Sequence, residues 1–142
     1  MRRLAKSFLI VFLAVTLSLA ACAETIPAPD FEDIPWLLES YGEPGNLQTV
    51  LPDTRVTATF ASADGKVTGI AGCNNYFAGY QVKGNKLTIP GPIARTEMWC
   101  GDEIGKQETQ YLNTLQAAES YTIENGNLHI TCANQLLLFK HR

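Results

Sequence analysis

The chain has 142 residues, 46% of them apolar, and carries 11 basic against 14 acidic side chains for a formal charge of −3. That length suits one compact domain and excludes a two-domain chain. The acidic balance makes nucleic acid and anionic lipid headgroups poor partners.

Arg2, Arg3 and Lys6 precede an apolar run from Phe8 to Ala21 that only Thr16 and Ser18 interrupt. This is the pattern of a secretory signal, and the run is short for a permanent membrane span. It ends in Leu19-Ala20-Ala21-Cys22, which resembles the bacterial lipobox. On this reading residues 1–21 are a lipoprotein signal peptide and Cys22 is the lipidation site, carrying palmitate-type chains. Two or three acyl chains anchor stably where one does not. Ala21-Cys22-Ala23 also fits ordinary small-x-small cleavage, whose product would be a soluble periplasmic or secreted protein. Glu24, in place of an aspartate after the cysteine, favours the outer membrane over the inner. Three bases and no acid leave with the signal, so the mature chain has eight bases against fourteen acids, a formal −6. Its membrane contact is therefore expected through the lipid alone.

From Cys22 to Ile34 the composition turns to Pro27, Pro29 and the acids Glu24, Asp30, Glu32 and Asp33, which predicts an extended tether. Residues 35–142 remain for the folded domain. Trp36 to Ser40 reads as a first strand. Arg55-Val56-Thr57-Ala58-Thr59-Phe60 alternates apolar and polar residues, and an Asp64-Gly65 turn leads into Lys66 to Ala71, which together predict a hairpin. Turns at Lys83-Gly84-Asn85 and Glu124-Asn125-Gly126-Asn127 predict two more. The closing run Gln135 to Lys140 is apolar on both sides, as in a strand covered on both faces. Between Asp102 and Ala118 the period changes: Ile104, Tyr111, Leu112, Leu115 and Ala118 recur at helical spacing. Glu103, Lys106, Gln107, Gln110, Asn113 and Gln116 take the other face, with Asp102 as N-cap. The predicted fold is α+β, a curved, barrel-like antiparallel sheet of about seven or eight short strands with one amphipathic helix packed on it.

Between the second strand and the helix lies Gly69-Ile70-Ala71-Gly72-Cys73-Asn74-Asn75-Tyr76-Phe77-Ala78-Gly79-Tyr80, answered by Ile93 to Cys100. Its small residues suit a strand that bends and lets another backbone come close. Gly72-Cys73-Asn74-Asn75-Tyr76, Ile93-Ala94-x-Thr96-x-Met98-x-Cys100, Glu108-x-x-Tyr111-Leu112-x-x-Leu115 and the closing Leu-Phe resemble the META domain, the HslJ-like family of bacterial envelope proteins. Trp99 departs from the family, which usually has a small residue there. The resemblance implies a β-rich domain with one helix, often on lipoproteins, associated with heat-shock or drug stress and without an established catalytic activity.

In an exported chain thiols oxidise. Cys22 is assigned to lipid, so Cys73, Cys100 and Cys132 leave a choice among three pairings. Residue parity and the family pattern favour Cys73 with Cys100, and closing a loop of about 28 residues is worth roughly 3.5 kcal/mol on the loop-entropy model. Cys132 shares parity with Leu128 and Ile130 and is expected to face the core. Asn74, Asn75, Tyr76, Arg95 and Thr96 are the candidate binding residues, joining amides, a ring, a guanidinium and a hydroxyl. A plainer account gives the asparagines left-handed backbone positions and local hydrogen bonds. Met98, Cys100, Cys73 and His129 are residue types that copper(I) favours, but their spacing demands no ion, and no metal or other cofactor is expected. With only His129 and His141 available, a nucleophile-histidine-acid set is hard to assemble, and no catalytic residue is assigned. The reading is a monomeric, non-catalytic envelope lipoprotein that supports envelope integrity or stress tolerance by binding a protein partner. The alternative is a carrier holding a small apolar ligand in the barrel interior.

Overall fold

The period-two segments become strands of one antiparallel sheet, with a single helix interrupting them. The structure, a computed structural model, describes residues 31–141. The signal segment, Cys22 and most of the expected tether lie outside the described residues. The elements are β1 (Pro35–Glu43), β2 (Asn46–Thr49), β3 (Thr57–Ala61), β4 (Lys66–Ile70), β5 (Asn75–Gly79), β6 (Gln81–Lys83), β7 (Lys86–Thr88), β8 (Ala94–Arg95), α1 (Asp102–Gln116), β9 (Ser120–Glu124), β10 (Asn127–Cys132) and β11 (Gln135–His141). The sheet runs β6-β7-β9-β10-β11-β1-β3-β4-β5-β8, with β2 folded onto β1 beside this path. It curls into a half-barrel around one core. The α+β, barrel-like expectation holds, with eleven strands among the described residues where seven or eight were expected. Two of the additional strands are short: β2 is wholly exposed and β8 has two residues, so neither carries an alternating pattern long enough to read; a third, β5, lies within the glycine-rich corner.

Two local devices produce the curl. A bulge shifts the β1–β11 register between Leu38 and Ser40, which bends the strand and increases its twist. Across from it Gly69 pairs with Tyr76. A Cβ on Gly69 would collide with the Thr57 carbonyl and crowd the Tyr76 ring, so only glycine lets three strands approach this closely. The space is used by a hydrogen bond, Tyr76 Oη donating to the Thr57 carbonyl at 2.8 Å.

The core face is filled by Trp36, Phe60, Leu87, Tyr111, Leu115, Leu128, Ile130, Leu137 and Phe139, all essentially without solvent contact. In β11, Leu137 and Phe139 are buried but Leu136 and Leu138 are half-exposed, so the closing strand is covered fully on one face only. Phe31 is fully buried and packs on Phe60 at 5.0 Å and Tyr121 at 4.2 Å between ring centroids. The packed domain therefore begins by Phe31, ahead of the Pro35 boundary expected from composition. An isolated phenylalanine among acids and prolines has no period to reveal its burial. No helix among the described residues is long and apolar enough to cross a membrane.

Helix α1 buries Tyr111, Leu112 and Leu115, as its stripe requires, together with the polar side chains of Gln107, Glu108 and Thr114. Gln107 was expected on the outer face. It is held inside because its amide oxygen accepts from the Leu51 N–H at 2.7 Å and its Nε2 donates to Thr54 Oγ1 at 3.0 Å. The N-cap is Gly101, with φ 95° and no side-chain cap. Asp102 stands one position later, inside the first turn, where its charge still complements the helix dipole.

Candidate functional site

The corner after β4 and the loop after β8 are joined by one buried asparagine. Asn74, 4% exposed, accepts from Thr96 Oγ1 at 2.8 Å and from the Met98 N–H at 2.7 Å through Oδ1. Its Nδ2 donates to the Met98 carbonyl at 3.1 Å and to Glu108 Oε1 at 2.9 Å, while its backbone N–H donates to Glu108 Oε2 at 2.8 Å. Both side-chain atoms of Asn74 are thus used twice, which holds the loop in one direction. Arg95 NH1 donates to Glu108 Oε1 at 2.9 Å and completes the cluster. The Glu108 side chain is only 3% exposed, and two N–H donors of Asn74 plus the Arg95 cation offset the cost of burying its charge.

Beneath this cluster Tyr76 and Tyr111 meet oxygen to oxygen at 2.7 Å. Tyr76 gives its proton to the Thr57 carbonyl, so Tyr111 donates to Tyr76. Burial pushes both phenols well above their ordinary range, and they are neutral hydrogen-bonding groups at physiological pH. Cys73 and Cys100 are joined as a disulfide with Cα atoms 6.0 Å apart, closing the same loop covalently. Cys132 is buried and free. Burial, followed by the charge of Glu119, pushes its thiol up to about 12, which makes it inert as a nucleophile.

The structure unites Asn74, Tyr76, Arg95 and Thr96 in or beside one network, but not as a set of open ligand groups. Asn74 and Tyr76 are buried and saturated, and Arg95 is turned to Glu108. Asn75 has an exposed side chain and contributes its carbonyl to the Thr96 N–H at 3.0 Å. The sulfurs of Cys73 and Cys100 are spent on each other, and His129 lies on β10, 3.4 Å from Glu124. Glu108, the centre of the cluster, received no role from sequence. The available signal was its position in register with Ile104, Tyr111 and Leu115, a carboxylate within an apolar stripe.

This network leaves large apolar groups outside. Met98 is 57% exposed and Trp99 85% exposed, so the bulky side chain of Trp99 needs no core space. On the outer sheet face Phe77 is 56% and Ile70 38% exposed. Beyond the loop a cleft of about 990 Å³ opens between Trp99, the outer side of α1 and the β10–β11 turn.

The model of the META domain family matches residues 29–142. The chain belongs to this family. The fold of this META domain is similar to the NMR structure of a protein from Burkholderia xenovorans (TM-score 0.65, 23% identity, covering 81% of this chain and 92% of that one). It is also similar to a crystal structure of a DUF4847 family protein from Bacteroides vulgatus ATCC 8482 (TM-score 0.56, 17% identity, 80% and 95% covered). At these identities the likeness shows the fold alone. Among curated proteins none matches the chain.

Proposed function

We propose that this META domain protein is a non-catalytic lipoprotein of the cell envelope. It is anchored through Cys22, faces the periplasm, and supports envelope integrity under stress by docking a protein partner. The observation that carries the docking reading is where its exposed apolar side chains fall. Ile70 and Phe77 lie on neighbouring strands, with Ile70 opposite Asn75 and Phe77 opposite Thr68 and Ala94. That register makes them diagonal neighbours on the outer face. Met98 and Trp99 stand on the loop that continues β8, the strand next to Phe77. Large apolar groups gathered at one margin of a small domain mark an interaction surface more often than chance exposure. The buried cluster supports a structural role for the corner, since the carboxylate of Glu108 is engaged by its neighbours and not offered to a substrate. The concave side of the sheet is filled by aromatic and aliphatic side chains, which favours recognition on the outside over carriage within.

The test compares wild type, Ile70→Thr/Phe77→Thr and Cys22→Ser in cells under heat and antibiotic stress. The threonines keep strand propensity, so the paired variant is expected to stay folded and in the membrane while losing a crosslinked partner and stress survival. Cys22→Ser is expected to leave the membrane fraction. Full survival and an unchanged crosslinking pattern in the threonine variant would overturn the docking reading.

A further inference from the structure

The cleft beyond Trp99 differs in chemistry from the Ile70 and Phe77 face, and its polar lining is not used by docking there. Lys106, Gln110, Asn113 and Ala117 line one wall. Their spacing puts them in a single row along α1, about 16 Å long at 1.5 Å per residue. Asn134 and Gln135, from the β10–β11 turn, and Trp99 line the same cleft. The side-chain amides of Gln110, Asn113 and Asn134 have no hydrogen-bond partner among the described residues. Gln135 accepts from Thr114 Oγ1 at 2.8 Å, which leaves its NH₂ group to donate elsewhere.

Charge narrows the ligand class. The lining holds three acids, Glu97, Asp102 and Glu108, against two bases, Arg95 and Lys106. Arg95 and Glu108 neutralise each other, so there is no positive cluster to receive a phosphate or a polyanion. What remains is an exposed indole beside several amides that can each donate and accept. Ligands that present an apolar ring face on one side and hydroxyl or acetamide groups around the edge match that set. From these observations we infer that the cleft binds a short, uncharged glycan segment, with a pyranose C–H face on Trp99 and its polar edge on Gln110, Asn113 and Asn134. The length of the helical row suits an oligomer better than a single sugar. Because the Cys73–Cys100 bridge and Asn74 already hold the Trp99 loop, binding need not order it, which removes a usual entropic cost of recognition.

The probe is chitotetraose, an uncharged oligomer of N-acetylglucosamine, titrated into the folded protein and followed by indole fluorescence and side-chain amide NMR signals. Saturable shifts of the Trp99 indole and of the Asn113 and Asn134 NH₂ groups are expected. Trp99→Ala and Asn113→Ala/Asn134→Ala should each weaken binding by about tenfold or more, with thermal midpoints close to wild type because all three residues are exposed. Trp99→Phe, which keeps a ring, should retain most of the affinity. Ile70→Thr/Phe77→Thr should bind the glycan normally, so loss of the protein partner and failure of the glycan site are separable. Absence of saturable change up to millimolar glycan would overturn the inference, as would binding that ignores the amide and indole substitutions. It would also fall if an uncharged extended hexapeptide shifted the same signals while chitotetraose did not.

Discussion

At the β8 margin of the sheet the chain is held by directional polar contacts, whereas where Phe31 packs on β3 and β9 it is held by rings. The first region has Asn74 bonded four times through its side chain, Glu108 bonded to Asn74 and Arg95, and a disulfide on the same loop. The second has Phe31 wedged between Phe60, Tyr80 and Tyr121, with the Trp36 indole donating to the Phe31 carbonyl at 2.8 Å. Burial of rings is strong but non-directional. Hydrogen bonds to a charged group contribute less each but fix geometry. The half-barrel therefore uses burial where it needs closure and polar contacts where it must aim a loop with apolar groups facing water.

The largest effect expected from this contrast is at the plug. Phe31→Ala should lower stability by about 3–5 kcal/mol, the usual cost of truncating a fully buried phenylalanine, measured as a shift of the urea midpoint. A loss below about 1 kcal/mol would show that the segment before β1 behaves as tether and that the aromatic end does not close the barrel. In the polar corner Glu108→Ala should cost about 3 kcal/mol, because it leaves buried donors on Asn74 without an acceptor. Glu108→Gln should cost less, since one amide oxygen still accepts. The change should also speed amide exchange at Met98 and Trp99, a loosening that Phe31→Ala should not produce. Replacing both Cys73 and Cys100 with serine should cost roughly 2–3.5 kcal/mol while leaving those amides protected. If the serine pair frees the loop and Glu108→Ala does not, the covalent link is what aims it.

Much of this architecture was legible because it repeats. The hairpins at Asp64-Gly65 and Asn125-Gly126 carry alternating strands on both sides, and the helix carries Tyr111, Leu112 and Leu115 on one face. Cys132 follows the parity of Leu128 and Ile130 into the core. The candidate site was legible only as a neighbourhood. Asn74 and Thr96 lie close in space because β5 and β8 pair, and β8 has just two residues. The part played by Glu108 depends on how α1 rotates against the sheet, which spacing alone leaves open between the apolar stripe and its border. Phe31 could not be assigned because tertiary burial overrides its acidic, proline-rich surroundings. The cleft is farthest from the sequence, since its walls come from a loop, a helix face and a turn that no local pattern connects.

The smallest effect expected belongs to the fastening of the plug. Asp33 accepts from the Ser62 N–H at 3.1 Å and from Ser62 Oγ at 2.6 Å, and these hydrogen bonds hold its carboxyl below the ordinary value of 3.8. The folded state thus has the lower pKa. Its stabilising contribution is present above about 3.8 and is lost as pH falls through the lowered folded value. Asp33→Asn isolates this effect well, because asparagine tolerates the left-handed φ of 60° at this position and can still accept a hydrogen bond. Asp33 is exposed, so the difference in thermal midpoint should be small and should shrink in high salt. Wild type should melt slightly above Asp33→Asn between pH 5 and 7, on the order of the shift a weak charge-assisted bond gives, and the two curves should converge below the ordinary carboxylate range. A gap that stays constant as the solution is acidified would mean that the substitution acts through backbone geometry. The charge on Asp33 would then have no part in pinning the Phe31 segment to β3.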